Sequence, residues 1–388
     1  MSPLLNLAAA AALLLPNPLA LAGETEPSLH KPVRQLQWHL SYLRALDAHR
    51  ISQGQGTIVA ILDTGVSPHP DLRNNLLPGK DLSGTANKDG RRDKNGHGTG
   101  MAGLVAAHGR GSNIGALGIA PKALIVPVIE SRIDGQGDPD TLAQGVEYAL
   151  SKMVDVISIS SSGGSSPRLE RAIRLALTSN VVVVAGAGNF PWNRGVEYPA
   201  SEPGVVAVGG IDQDGKHADI SVSGPEIDVA APAVDIYSTS NNGDYRRGTG
   251  TSGATAIVAG AVALIRAKYP SLPAREVVHR LTATAIDKGP PGRDDQYGHG
   301  VIDLVAALTA DVPPLGSAPT ADPPAGDGPT VTTDVAVGDG SGARESGEDG
   351  SGVRGWVTLG VLLAAGGGWA YVARRRRSGD DPPPRISR

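Results

Sequence analysis

The sequence predicts an α/β fold whose central sheet is mostly parallel, and two patterns point there. Short, nearly continuous runs of Val, Ile and Ala recur at 57–63, 123–130, 154–160, 181–187 and 205–211. Helical patterns stand between and after them at 99–107, 139–151, 168–179, 254–269 and 274–285. Strands that are apolar on both faces and alternate with helices make a parallel sheet covered on both sides. Reacting groups in such sheets collect beyond the carboxyl ends of strands, where Asp63 and Asn189 both fall.

Composition bounds the organisation of the 388 residues. Apolar residues, Gly and Ala dominate to about residue 310, so one large domain is expected there. The net charge of -4 leaves no footprint for nucleic acid. No cysteine is present, which excludes thiol catalysis, zinc–thiolate sites and disulfides. No cofactor is implied.

Taken in chain order, residues 4–15 are mostly Leu and Ala, Pro16 and Pro18 break the run, and Ala20-Leu21-Ala22 offers a small-x-small cleavage site. Residues 1–22 therefore read as a secretory signal, too short in its apolar run to span a bilayer. No Lys or Arg precedes Lys31, whereas such signals begin with positive charge, so a translation start upstream of Met1 is expected. Residues 23–56 form an extension too short for an independently folding pro-domain. Within it RQLQWHLSYLRALDAH has helical spacing and is expected to pack on the domain that follows, residues 57–310.

Beyond that domain, Pro, Gly, Ser and Asp take over, so residues 311–354 read as a disordered linker. Gly355 to Ala373 contains no charge, has Trp356 near one end and Trp369 and Tyr371 near the other, and would span about 28 Å as a helix. That segment, 355–373, reads as a single transmembrane helix. Arg374 to Arg377 follow it and place the tail, residues 374–388, in the cytoplasm by the positive-inside rule. The large domain would then face outward, tethered to the cell membrane.

Three segments carry chemistry: TIVAILDTGV around Asp63, NGHGTGMAG around His97 and GTGTSGATAIVAG around Ser252. A serine hydroxyl is unreactive until an imidazole takes its proton, and the imidazole needs a carboxylate to fix its tautomer and stabilise the cation. A tetrahedral oxyanion then needs donors. VVVVAGAGN supplies one such donor, the amide of Asn189, at the end of an apolar strand. Each segment alone has a plainer reading: a carboxylate capping a turn, a structural histidine, a hydroxyl at a helix N-cap. Their joint occurrence in the order Asp, His, Ser matches one route to a serine triad.

Two other patterns carry less. Gly248, Gly250 and Gly253 satisfy GxGxxG, but the preceding SNNGDYRR is polar where a dinucleotide fold needs a buried strand. HPD at 69–71 could suggest a metal, yet no complete ligand set accompanies it, so a turn is expected and no metal is assigned.

From about Gln35 to Ala310 the chain resembles the subtilisin-like serine proteases, through these motifs together with IGALGIAP before Lys122, SSSGG at 160–164 and YGHGVIDLVAAL at 297–308. With its signal-like start and C-terminal span it resembles the mycosins, membrane-anchored proteases associated with type VII secretion. The resemblance implies a subtilisin-like three-layer fold, with Asp63, His97 and Ser252 as the triad and Asn189 in the oxyanion hole. It implies Ser160, Ser161, Ser162, Gly163 and Gly164 as a peptide-binding edge, which an extended substrate would join through main-chain bonds. Polypeptide substrates and a type VII secretion membrane complex are the implied partners. In many subtilisins the Asp matching Asp71 helps bind calcium. The chain departs from the pattern at Gly253, where Met or another side chain is usual, and at Ala256, where Pro is usual. It also lacks the disulfides of many mycosins. The competing reading is a structural subunit that stabilises a secretion complex with proteolysis dispensable. A freely secreted protease would not carry the C-terminal span.

Overall fold

The computed structural model describes residues 32–84, 88–111, 114–130 and 138–316. The signal, most of the linker and the C-terminal span assigned from sequence lie outside the described residues. Among the described residues no helix is long and apolar enough to cross a membrane.

Eleven strands occur among the described residues: β1 (Ile58–Asp63), β2 (Lys80–Asp81), β3 (His108–Arg110), β4 (Ile114–Leu117), β5 (Leu124–Ile129), β6 (Val156–Ile159), β7 (Val182–Gly186), β8 (Val206–Ile211), β9 (Val229–Pro232), β10 (Ile236–Thr239) and β11 (Tyr245–Gly248). The helices are α1 (Val33–Leu36), α2 (Trp38–Tyr42), α3 (Ala45–His49), α4 (His97–Ala106), α5 (Pro139–Ser151), α6 (Pro167–Thr178), α7 (Thr251–Lys268), α8 (Ala274–Ala283) and α9 (Leu304–Thr309). Seven strands form one sheet in the order β2-β5-β1-β6-β7-β8-β9, and every neighbouring pair is parallel.

The apolar runs are continuous because both sheet faces are buried, and successive side chains serve opposite faces. In β1, Val59 and Ile61 join the core beneath α4 and α7, whereas Ala60 and Leu62 join the core beneath α5 and α6. In β7, Val182 and Val184 face the first core, and Val183 and Ala185 the second. The result is three layers, with helices on each face of the sheet.

Local chemistry starts the outer helices. Asp138 accepts from Thr141 N–H ahead of Pro139, and Ser166 accepts from Leu169 N–H ahead of Pro167. The helical stretch foreseen in the extension is instead three short helices, broken at Gln37, where ψ is 68°, and at Arg44, which adopts a left-handed conformation with φ 52°. These helices belong to the main core through Val33, Leu40, Leu43, Ala45 and Ala48. They are pinned by Trp38 Nε1–H donating to Val234 O at 3.0 Å and by Gln37, whose amide bridges Leu117 and Tyr237.

The sheet order positions the site. From β1 the chain first adds β5 and β2 on one side, and β6 then pairs on the other. That reversal opens a crevice at the carboxyl end of β1, where Asp63 stands.

Candidate active site

Asp63 ends β1 with 3% of its side chain exposed. His97 opens α4, two residues earlier than the sequence pattern placed that helix. The two meet because Gly98 lets the helix start press against the strand end: a Cβ there would lie 2.2 Å from Gly65 O and 3.1 Å from Asp63 Cβ. His97 Nδ1 lies 2.8 Å from Asp63 Oδ1 and 2.9 Å from Oδ2, and Thr64 N–H donates to Oδ1 at 2.7 Å. The Asp63 carboxylate raises the His97 pKa above the usual imidazole range against the opposing effect of burial, and Arg246 opposes it further. Burial pushes Asp63 upward, but His97 and the bonds from His97 and Thr64 outweigh it and hold the carboxyl below its ordinary range.

Ser252 is the second residue of α7, an 18-residue helix buried along almost its whole length. That helix begins three residues before the pattern predicted, so Ser252 lies within its first turn, where backbone N–H groups lack intrahelical partners. Ser252, His97 and Asn189 line one cavity of about 150 Å³. Among the described residues the Ser252 hydroxyl makes no hydrogen bond, and catalytic bonds often tighten only when substrate binds.

Asn189 follows β7, and its side chain has one consistent orientation. Thr251 donates to Oδ1 from its N–H at 2.8 Å and from Oγ1 at 3.3 Å, which turns the Nδ2 donors away from Thr251. Gly250 permits this approach: with φ +152°, a Cβ on it would stand 3.3 Å from Asn189 Oδ1. The backbone of Asn189 is braced by Asn193, which accepts from Asn189 N–H through Oδ1 at 2.8 Å and donates its own N–H to Asn189 O at 2.9 Å.

The edge from Ser160 to Gly164 continues β6 toward the surface. Gly163 N–H donates to Tyr198 O at 3.1 Å, and Asn193 Nδ2 donates to Ser162 Oγ at 3.3 Å. One residue, Asn193, thus braces both Asn189 and this edge. Ser161 Oγ is buried beside the Glu130 carboxyl.

Sequence reasoning missed Asp93, Asn193, Glu130 and Arg246. Asp93 Oδ1 accepts from Thr64 Oγ1, Asn95 N–H and Gly96 N–H, while Oδ2 accepts from the N–H and hydroxyl of Thr99. Its carboxylate therefore caps the α4 N-terminus, where negative charge is favoured. Glu130 follows β5 and donates its N–H to Asp63 O at 3.1 Å. Burial pushes its carboxyl up to about 8 against the opposing effect of the neighbouring Ser161 hydroxyl, and neither oxygen makes a well-aligned hydrogen bond.

The HPD segment is a turn, as expected, and both Asp71 oxygens have donors. Arg110 Nε donates to Oδ1 at 3.0 Å, while Ala116 N–H and the Tyr245 hydroxyl each donate to Oδ2 at 2.8 Å. Of the GxGxxG glycines, Gly248 ends β11, which pairs only with β10, so no buried sheet strand precedes the pattern.

A parallel sheet with a carboxylate-paired histidine and a helix-start serine on one cavity fits a serine hydrolase of the α/β class. The comparisons give the family: residues 54–300 match the Subtilase family, and the chain belongs to it. It is 38% identical over 290 residues to a thermostable alkaline protease of Halalkalibacterium halodurans, covering 74% of this chain and 76% of that one. The structure resembles the crystal structure of MycP1 from Mycobacterium smegmatis with a TM-score of 0.66 and 28% identity, over 74% of this chain and 88% of that one. A structure of the serine protease MycP1 described as an essential component of the type VII (ESX-1) secretion system matches with a TM-score of 0.65 and 32% identity, over 73% and 90%. The chain is a subtilisin-like serine endopeptidase.

Proposed function

We propose that this protein is a membrane-tethered endopeptidase of type VII secretion that cuts polypeptides outside the cell with Asp63, His97 and Ser252. The observation that carries the chemistry is the 2.8 Å contact between His97 Nδ1 and Asp63 Oδ1, on the cavity that Ser252 also lines. In this reading Ser252 Oγ attacks the scissile carbonyl carbon as His97 Nε2 takes its proton, and Asp63 holds the Nδ1–H and stabilises the imidazolium. The oxyanion accepts bonds from Asn189 Nδ2–H and from the Ser252 N–H at the positive end of α7. Collapse breaks the C–N bond, and His97 returns its proton to the departing amine. Water, deprotonated by His97, then attacks the acyl ester, and the serine leaves with the proton restored. The edge from Ser160 to Gly164 pairs with the extended substrate.

The secretion setting rests on the likeness to MycP1. The tether rests on the uncharged segment from Gly355 to Ala373 and on the arginines after it, which direct the C-terminus to the cytoplasm.

Ser252→Ala tests chemistry and setting together. Peptidase activity of the full chain should vanish while the variant still folds, and wild-type cleavage by the variant would remove Ser252 from its role. If secretion survives Ser252→Ala but fails when the chain is deleted, the protein acts there as a structural subunit. Asn189→Ala should lower kcat about 100- to 1,000-fold, the usual loss for one oxyanion donor.

A further inference from the structure

Resting on the endopeptidase reading, we propose that Arg246 makes this enzyme prefer an acidic residue at the first or second position after the bond it cuts. Arg246 lies in β11 and lines the same cavity as His97 and Ser252. Its stem runs over α4 one turn beyond His97: a Cβ on Gly100 would lie 3.1 Å from Arg246 Cδ and 3.7 Å from Cγ. The glycine leaves that path open.

The hairpin that carries Arg246 is fastened at neighbouring residues. Ser238 of β10 is the residue paired opposite Arg246, and Ser238 Oγ donates to Gly100 O at 2.7 Å, fastening the hairpin to α4. The preceding residue, Tyr245, donates its hydroxyl to the buried Asp71. Successive strand residues point to opposite faces. Arg247 accordingly turns the other way, with Nε 3.7 Å from Asp235 Oδ1. Among the described residues the Arg246 guanidinium has neither a hydrogen-bond nor an ion-pair partner. It is close enough to oppose the protonation of His97.

Reaction geometry decides which part of the substrate meets it. The departing amine takes its proton from His97, so the chain after the cut bond leaves on the His97 side of Ser252. The walls on that side are α4, β10 and β11; none of Ser160 to Gly164 lines the cavity. An unpaired, half-buried guanidinium beside the leaving segment favours a carboxylate, which it can engage with two parallel hydrogen bonds. A substrate lysine there would meet like charge instead.

The test uses the full chain in membranes. Cleavage of a proteome-derived peptide mixture, with the new termini sequenced, should show Asp and Glu enriched at the first or second position after the cut. Quenched peptides matched to the best site and differing only by Glu, Gln or Lys there should then show kcat/KM for Glu about five- to tenfold above Gln, the effect of one partly screened charge pair, with Lys lowest. The preference should shrink with added salt. Arg246→Gln should bring the Glu-to-Gln ratio to about one, and Arg246→Glu should reverse the order of Glu and Lys. An active wild-type enzyme indifferent to these charges, or an unchanged ratio in Arg246→Gln, overturns this inference alone. A wild type that cleaves no peptide overturns the endopeptidase reading and this inference with it.

Discussion

Thr64 Oγ1 donates a 2.9 Å hydrogen bond to Asp93 Oδ1, tying the residue after Asp63 to the loop that delivers His97. The same Thr64 oxygen accepts from Gly98 N–H at 3.0 Å, so strand end, loop and helix start are fastened at one point. The spacing of Asp63 and His97 is thus fixed by a second carboxylate that touches neither.

Removing that carboxylate should loosen the pair. Asp93→Ala strands the buried N–H groups of Gly96 and Thr99, each worth about 1–3 kcal/mol when left unmet. The expected outcome is a lower melting temperature and a fall in kcat larger than any rise in KM. Asp93→Asn, which keeps one acceptor oxygen, should recover part of both. Thermal melts and steady-state kinetics of the two variants check this, and a wild-type kcat in Asp93→Ala would show that Asp93 has no part in positioning His97.

A second outcome concerns pH. In the proposed mechanism His97 must be neutral to take a proton, and the Asp63 carboxylate raises its pKa, with Arg246 opposing and Asp93 assisting. Activity should therefore rise with pH through a midpoint above about 6.5, the ordinary imidazole value. Arg246→Gln removes the opposing cation, so the midpoint should move to higher pH. Profiles of kcat/KM against pH read this directly; a midpoint below 6.5 would contradict the direction of the shift.

Glu130 sets a stability slope of its own. Its folded-state pKa is raised to about 8 by burial, from about 4.5 when unfolded. The folded protein therefore keeps a proton that the unfolded chain releases, and this contribution is full below 4.5 and lost as pH rises to about 8. The slope is about 1.4 kcal/mol per pH unit across that window. Glu130→Gln cannot ionise, so its stability should gain on that of wild type as pH rises. Denaturant midpoints at pH 5, 6.5 and 8, measured with Ser252→Ala in both chains to prevent self-cleavage, test it. Parallel curves would mean that Glu130 is ionised in the fold.

The sequence made the central strands and the four motifs of the candidate site legible because their signals are local. β1, β5, β6, β7 and β8 are apolar on both faces, and Asp63, His97, Asn189 and Ser252 each sit at an element boundary marked by small residues. β2 is only Lys80-Asp81, and β9 ends in Pro232, so neither announces an edge strand. Asp93 lies in the polar run GRRDKNGHG, which reads as loop; its work appears only when Thr64 is folded against it. Arg246 sits in a half-exposed hairpin strand, and only its approach to Gly100 brings it to the cavity. Side chains whose partners are distant in sequence leave no periodic trace.

Gly253, the departure that follows Ser252, is open to a direct test. It is the third residue of α7, and a Cβ there would stand 3.6 Å from Leu104 Cδ1 and 3.9 Å from Ile236 Cγ1, both ordinary contacts. Glycine inside a helix gives up about 1 kcal/mol relative to alanine. Gly253→Ala should therefore raise stability by roughly that amount, a gain of about 2–4 °C in Tm for a domain of this size. The contrast is Gly260 in the same helix, where a Cβ would lie 2.7 Å from Ile119 Cβ, so Gly260→Ala should destabilise. Larger residues at 253 should fill the cavity that Ser252 shares with Leu104 and Ile236, raising KM for long peptides more than for short ones. Melting both alanine variants in the Ser252→Ala background reads the stability pair. A loss of stability in Gly253→Ala equal to that of Gly260→Ala would mean that the room beside Ser252 is not there.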